Sequence, residues 1–206
     1  MDDTRRRVAV LTLVKPLWLS CVWAKRWGQS CVLREFHGDP ILGPAYDYWR
    51  SKCRSGALPR RRDIDPTEIP RLLPHLLISE LVDGGTRLRY RLAGTAVVAA
   101  YGGELTGKHC DEVCPQERRA SIIAQYRLIC ERKQPLLLRH RYLSPNQVPL
   151  ICHRLVMPLS DDAQTVSQFF AALRFEYHGN AYEWTGRWAA SAGDFTFEDG
   201  YSALVA

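Results

Sequence analysis

The sequence has no bilayer-length apolar run, no regular cysteine framework and none of the common enzyme signatures. Its most apolar N-terminal stretch, Val8 to Trp23, is shorter than the roughly 20 residues that span a membrane, and Lys15-Pro16 interrupts it. This argues against a membrane partner. Seven cysteines, an odd number in 206 residues, do not make the even, closely spaced set of a small secreted scaffold. A reducing, cytoplasmic compartment is the simpler expectation. There is no Gly-x-Ser-x-Gly elbow, no Gly-x4-Gly-Lys-Ser/Thr phosphate loop and no His-Glu-x-x-His pair. Ser160-Asp161-Asp162 offers neighbouring carboxylates, but turn chemistry accounts for them. The chain is read as a non-enzyme.

Charge is also short in the main body. The net charge of +6 suggests nucleic acid at first sight, yet residues 1 to 35 hold seven Lys/Arg against three Asp/Glu, leaving a surplus of two for the other 171. A core this mildly basic argues against a nucleic-acid partner. Thr4-Arg5-Arg6-Arg7 before Val8 to Val14 resembles the charged and apolar parts of an export signal, without a small-x-small cleavage site. Residues 1–38 are therefore expected to be a poorly ordered leader. A start assigned too far upstream remains open, and N-terminal sequencing that begins near residue 38 would establish it.

From Pro40 the sequence is periodic. Leu42, Ala45, Tyr46 and Trp49 make one apolar stripe of a helix that Gly56 stops. A loop follows, in which Asp65-Pro66 caps a further turn. Arg50, Lys52, Arg54 and Arg60 to Arg62 crowd this region; solvated charges partly paired with Asp63 and Asp65 are expected, with an anion patch as the alternative. His75 to Val82 and Arg87 to Leu92 then form a hairpin. Asp83-Gly84-Gly85 tolerates the positive φ of its turn, and Leu88, Tyr90 and Leu92 alternate with three arginines. Ala96 to Tyr101 is a short helix.

A long helix begins after Pro115. Ile122, Ile123, Tyr126, Ile129 and Cys130 form its apolar stripe, and Arg118, Arg119, Arg127 and Arg132 are expected outside. Three strand-like runs follow, Leu136 to Tyr142, Val148 to Leu159 and Thr165 to Tyr177, joined by turn residues. Strands separated by a helical block predict an α+β fold, an antiparallel sheet with helices packed on one face. Residues 178–206, rich in Gly, Ala, Ser and Trp, are expected to be a loosely docked or disordered tail.

This order is carried by Tyr48-Trp49-Arg50, Leu58-Pro59 with Asp63-Ile64-Asp65-Pro66, Leu72-Leu73-Pro74-His75-Leu76, Tyr90-Arg91-Leu92-Ala93-Gly94-Thr95, Leu105-Thr106-Gly107-Lys108 with Asp111-Glu112-Val113, and Met157-Pro158-Leu159-Ser160-Asp161-Asp162. Together they resemble a PAS domain, and more narrowly the small proteobacterial proteins built of one PAS domain and little else. The resemblance spans residues 46 to about 175, and a single domain is expected over 39–177. It implies a five-stranded antiparallel sheet cupping helices over a small cavity. It also implies a sensory and regulatory role, with output through a protein partner or a homodimer.

The same resemblance frames the chemistry. Flavin-binding light sensors of the superfamily place a photoreactive cysteine in Gly-x-Asn-Cys-Arg-Phe-Leu-Gln, and Gly107-Lys108-His109-Cys110 falls in that region. The flanking positions are His109, Asp111, Glu112, Val113 and Cys114, and the acidic pair opposes a flavin phosphate. Haem-binding relatives carry a histidine on the long helix, and Gln116 to Lys133 has none. His109, Cys110 and Cys114 lack a second half at zinc spacing, and His140, Cys152 and His153 would complete a metal site only by tertiary coincidence. No cofactor is named.

What remains is a pocket for an unidentified small molecule, with Tyr90, Tyr101, Cys110, Tyr126, His153 and Phe170 as its candidate lining. A pure interaction module with a core filled by its own side chains is the alternative. A metal or redox sensor built on Cys110 and Cys114 is a third.

Overall fold

The computed structural model describes residues 38–54, 56–143, 149–162, 164–177 and 201–204. The expected leader, and most of the expected tail, lie outside the described residues. Helix α1 (Leu42–Lys52) leads into three short 3₁₀ turns and strand β1 (Leu76–Val82). Strand β2 (Arg87–Ala93), helices α2 (Thr95–Tyr101), α3 (Cys110–Val113) and α4 (Gln116–Arg132), and strands β3 (Leu136–Leu143), β4 (Pro149–Leu159) and β5 (Gln168–Tyr177) follow. No described helix is long and apolar enough to cross a membrane.

The five expected strands form an antiparallel sheet in the order β2-β1-β5-β4-β3. A sixth, β6 (Tyr201–Leu204), extends it: these four residues of the tail pair antiparallel with Leu136 to Arg139 of β3. The turn between β1 and β2 uses positive φ at Asp83, Gly84 and Gly85, the conformation that its residues tolerate.

Both faces of this sheet are covered. Helices α2 and α4 pack on one, here the inner face, against Leu77, Leu88, Tyr90, Leu136, Leu138, Leu150, Cys152 and Phe169. Helix α1 does not join them. Its Leu42, Ala45, Tyr46 and Trp49 pack on the outer face against Leu76, Ile78, Leu155, Met157, Phe170 and Ala172. The reason lies in the central strands, β1, β4 and β5, which are apolar on both sets of alternate residues and would expose one set without α1. The indole of Trp49 donates to the Pro158 carbonyl at 2.9 Å, fixing α1 to β4. Asp39 accepts from the backbone of Ile41 and Leu42, at 2.9 Å each, and pairs with Arg174.

Two expectations about polar residues change. Arg118, placed outside α4 by its charge, is only 8% exposed. It stands four residues before Ile122 and eight before Tyr126, so helical periodicity puts it on the buried stripe. Leu92, assigned to the buried face of β2, is 41% exposed. A register shift at Ile78/Ser79 interrupts the β1–β2 ladder next to it. The arginine face of β2 is half-exposed and paired: Arg87 with Asp111 at 2.9 Å and Asp83 at 3.5 Å, and Arg89 and Arg91 with Glu80.

Candidate functional site

Strand β4 supplies the centre of the site. Its residues alternate between faces, and Leu150, Cys152, Arg154 and Val156 share the inner one. Arg154 pairs in register with Leu138 of β3 and Leu173 of β5, both inner-core residues, so its side chain is directed under α4. It is 5% exposed. Its guanidinium carbon lies 5.9 Å from the centre of the Tyr126 ring, within cation–π reach, and that ring packs edge-on against Phe169 at 4.7 Å.

The opposite wall comes from β2 and the segment after α2. Gly107, at φ 85°, donates its N–H to the Tyr90 carbonyl at 2.8 Å, and the Tyr90 N–H donates to the Lys108 carbonyl at 2.9 Å. This clip closes the free edge of β2 and sets Cys110 beside Tyr90. Cys110 is 3% exposed, and its Sγ lies 3.1 Å from that of Cys114. Tyr101 reaches in from the end of α2, edge-on to Phe175.

Electrostatically this face is unusual for a core. Burial pushes the phenols of Tyr90 and Tyr101 well above their ordinary range and the Cys152 thiol up to about 12, so all three are neutral at physiological pH. Burial works against the charge of Arg154, the neighbouring Tyr126, Tyr101, Cys152 and Tyr90 favour it, and the net direction is upward. His140, in register with Cys152, is held well below the histidine range by burial and by Arg154, Arg118 and His153. The hydrogen bond from Cys114 lowers the Cys110 thiol to about 7 against the cost of burial, with Tyr90 and Arg154 assisting; Cys114 moves up in compensation.

The buried polar atoms on this face without a partner among the described residues include Ser79 Oγ, Tyr126 Oη and Arg154 Nε. This face therefore buries two cations, Arg154 and Arg118, together with neutral donors and aromatic rings, and the Nε of Arg154 has no partner among the described residues.

Of the six residues proposed from sequence, Tyr90, Tyr101, Cys110 and Tyr126 come together here. His153 and Phe170 do not. Each occupies the other alternation set of its strand: His153 meets Glu176 at 3.2 Å beside Arg174, and Phe170 packs with α1 under the Tyr48 ring. Arg118, His140, Cys152 and Arg154 were not among the six. For Arg118 the helical spacing was a usable signal; for His140 and Arg154 it was alternation with Leu138 and Cys152. No three His, Cys, Asp or Glu side chains among the described residues group as a metal site.

A family model described as "PAS domain" matches residues 41–174. No curated protein matches the chain. Among solved structures it is similar to a Rhodobacter sphaeroides LOV protein, at 13% identity over 58% of this chain and 72% of that one, with a TM-score of 0.41. It is similar also to a Vibrio cholera VqmA–ligand–DNA complex, at 12% identity over 54% of this chain and 51% of that one, TM-score 0.44. An RNA-binding light-oxygen-voltage receptor matches at 14% identity over 59% of this chain and 35% of that one, TM-score 0.40. None of these likenesses brings a ligand or partner to this chain. The family match spans well over half of the sequence and coincides with the sheet and its helices, and the chain belongs to the PAS domain family.

Proposed function

We propose that this protein is a sensory and regulatory PAS module that binds a small molecule non-catalytically between the inner face of its sheet and helices α2 and α4, and signals through a protein partner. The observation that carries this reading is the set of buried, unpartnered polar atoms, Ser79 Oγ, Tyr126 Oη and Arg154 Nε, within one otherwise apolar core. Buried polar groups are nearly always hydrogen-bonded, because leaving one unmade costs about 1–3 kcal/mol, more for a charged group. A bound molecule supplies the missing partners. Free thiols at Cys53, Cys110, Cys114, Cys130 and Cys152 favour a cytoplasmic setting.

A second reading, an interaction module with a self-filled core, is favoured by the close Tyr126–Phe169 packing on the inner face. Native against denaturing mass spectrometry on the full chain from its own host separates the two. A stoichiometric extra mass lost on denaturation supports the sensor. A bare mass together with a concentration-dependent dimer supports the interaction module.

A further inference from the structure

The chemistry of the missing partner is legible in what surrounds Arg154, and the inference rests on the small-molecule reading above. We propose that the ligand is an organic acid whose carboxylate seats on the Arg154 guanidinium, with its apolar body against the aromatic walls of Tyr90, Tyr101, Tyr126 and Phe169.

An arginine stays protonated under all ordinary conditions, so its burial cannot be relieved by losing the charge. A buried cation without a counter-charge is strongly unfavourable. The described structure supplies none. The buried polar groups of the inner face are neutral or basic: Ser79 from β1, Tyr90 from β2, Tyr101 from α2, Arg118 and Tyr126 from α4, and His140 from β3; the acidic residues of α3, Asp111 and Glu112, are part-exposed and pair with Arg87 and His109. Every described carboxylate is at the surface or on the outer face, where Asp39 and Glu176 serve Arg174 and Glu80 serves Arg89. Arg154 makes no hydrogen bond or ion pair to any of them; its guanidinium stands over the face of Tyr126.

The thiol of Cys110 is the single group here that ionises near neutrality, and no hydrogen bond joins it to Arg154. A carboxylate matches the planar fork of the guanidinium, accepting two parallel N–H bonds. One negative charge also balances Arg154, the buried cation of this face that has no hydrogen bond or ion pair of its own among the described residues. Tyr126 Oη and Ser79 Oγ remain as neutral donors for the polar groups of the ligand.

Two measurements test this on the full chain. Material released from the native protein by denaturation is identified by accurate mass and by methyl esterification. A carboxylic acid supports the proposal. A neutral molecule or a phosphate ester overturns it and leaves the small-molecule reading standing.

On ligand-stripped protein, formate, acetate and benzoate are compared with formamide, acetamide and benzamide by thermal shift and titration calorimetry. At least one acid is expected to raise Tm where its amide does not. Arg154→Gln is expected to weaken that binding by about tenfold or more. Arg154→Met, which removes the unpaired charge, is expected to raise the Tm of stripped protein and to abolish the response to acids. Acids that act equally on wild type and Arg154→Gln overturn the proposal. A response to no probe, together with a bare native mass, overturns the small-molecule reading as well.

Discussion

At the scale of single residues, two buried groups of the inner face have protonation equilibria that experiments can read. Cys110 accepts a hydrogen bond from Cys114 as a thiolate, which brings its pKa to about 7, below the usual value near 8.5. Alkylation of Cys110 by iodoacetamide, followed by peptide mapping, is expected to rise through a midpoint near 7, and Cys114→Ala is expected to move that midpoint up. An identical midpoint in the variant would remove the role of Cys114. His140 works in the opposite sense. Its folded pKa is depressed, so below about pH 6.5 the unfolded chain binds a proton that the native state refuses. Stability is therefore full above about 6.5 and is lost as pH falls through the folded value. Urea unfolding at about pH 7.5 and about pH 5.5 is expected to show this loss, and His140→Gln to reduce it. His153 is depressed too, but it is half-buried on the outer face and its Glu176 contact opposes the shift, so His153→Gln is expected to reduce the loss less.

Among the elements, the join between the β1–β2 hairpin and α2 tolerates least change. A Cβ at Gly94 would stand 2.2 Å from the Leu73 carbonyl oxygen and 2.4 Å from that of Pro74, both backbone atoms that no rotamer can move. The Gly94 N–H also donates to the Leu76 carbonyl at 2.8 Å, so the approach is part of the ladder. Gly94→Ala is expected to cost about 1–3 kcal/mol or more in chemical denaturation, with the m-value unchanged. Trp49→Phe retains most of the apolar area of α1 and leaves the Pro158 carbonyl unpaired, an expected loss of about 1–2 kcal/mol. Helix α4 shows how far pattern alone reaches. Its stripe of Ile122, Tyr126 and Ile129 was legible from spacing, whereas Arg118 on the same stripe was assigned to solvent because charge outweighed position.

For the whole molecule, the sheet order leaves β3 dependent on a distant part of the sequence. Tyr201–Leu204 pairs with the outer side of Leu136 to Arg139 and so covers an edge that would otherwise present unpaired backbone groups. Truncation after Tyr177 is expected to raise the amide exchange of Leu136 to Leu138 in hydrogen–deuterium exchange and to increase self-association. Unchanged protection would show that β6 adds nothing to the edge. With α1 on one face and α2 and α4 on the other, the sheet offers neither broad face to a partner. Among the described residues, the half-exposed arginines of β2 lie outside both packed faces.

Sequence by itself determined α1, α2, α4 and strands β1 to β5 in their order, but not β6. The Asp83-Gly84-Gly85 turn, the alternation of Leu88 and Tyr90, and the break at Gly102 follow from local sterics and short-range periods, which act between near neighbours in the chain. Only the tertiary structure decided which alternate residues occupy the inner face. A strand period of two sorts Cys152 and Arg154 from Ile151 and His153, but both sets of β4 are largely apolar and both are buried, so the pattern carries no sign. That sign comes from register with Leu138 and Leu173 and from the placing of α1 and α4 on opposite faces. It puts Arg154 on the inner face under α4 and His153 on the outer one, and it leaves no described carboxylate beside Arg154.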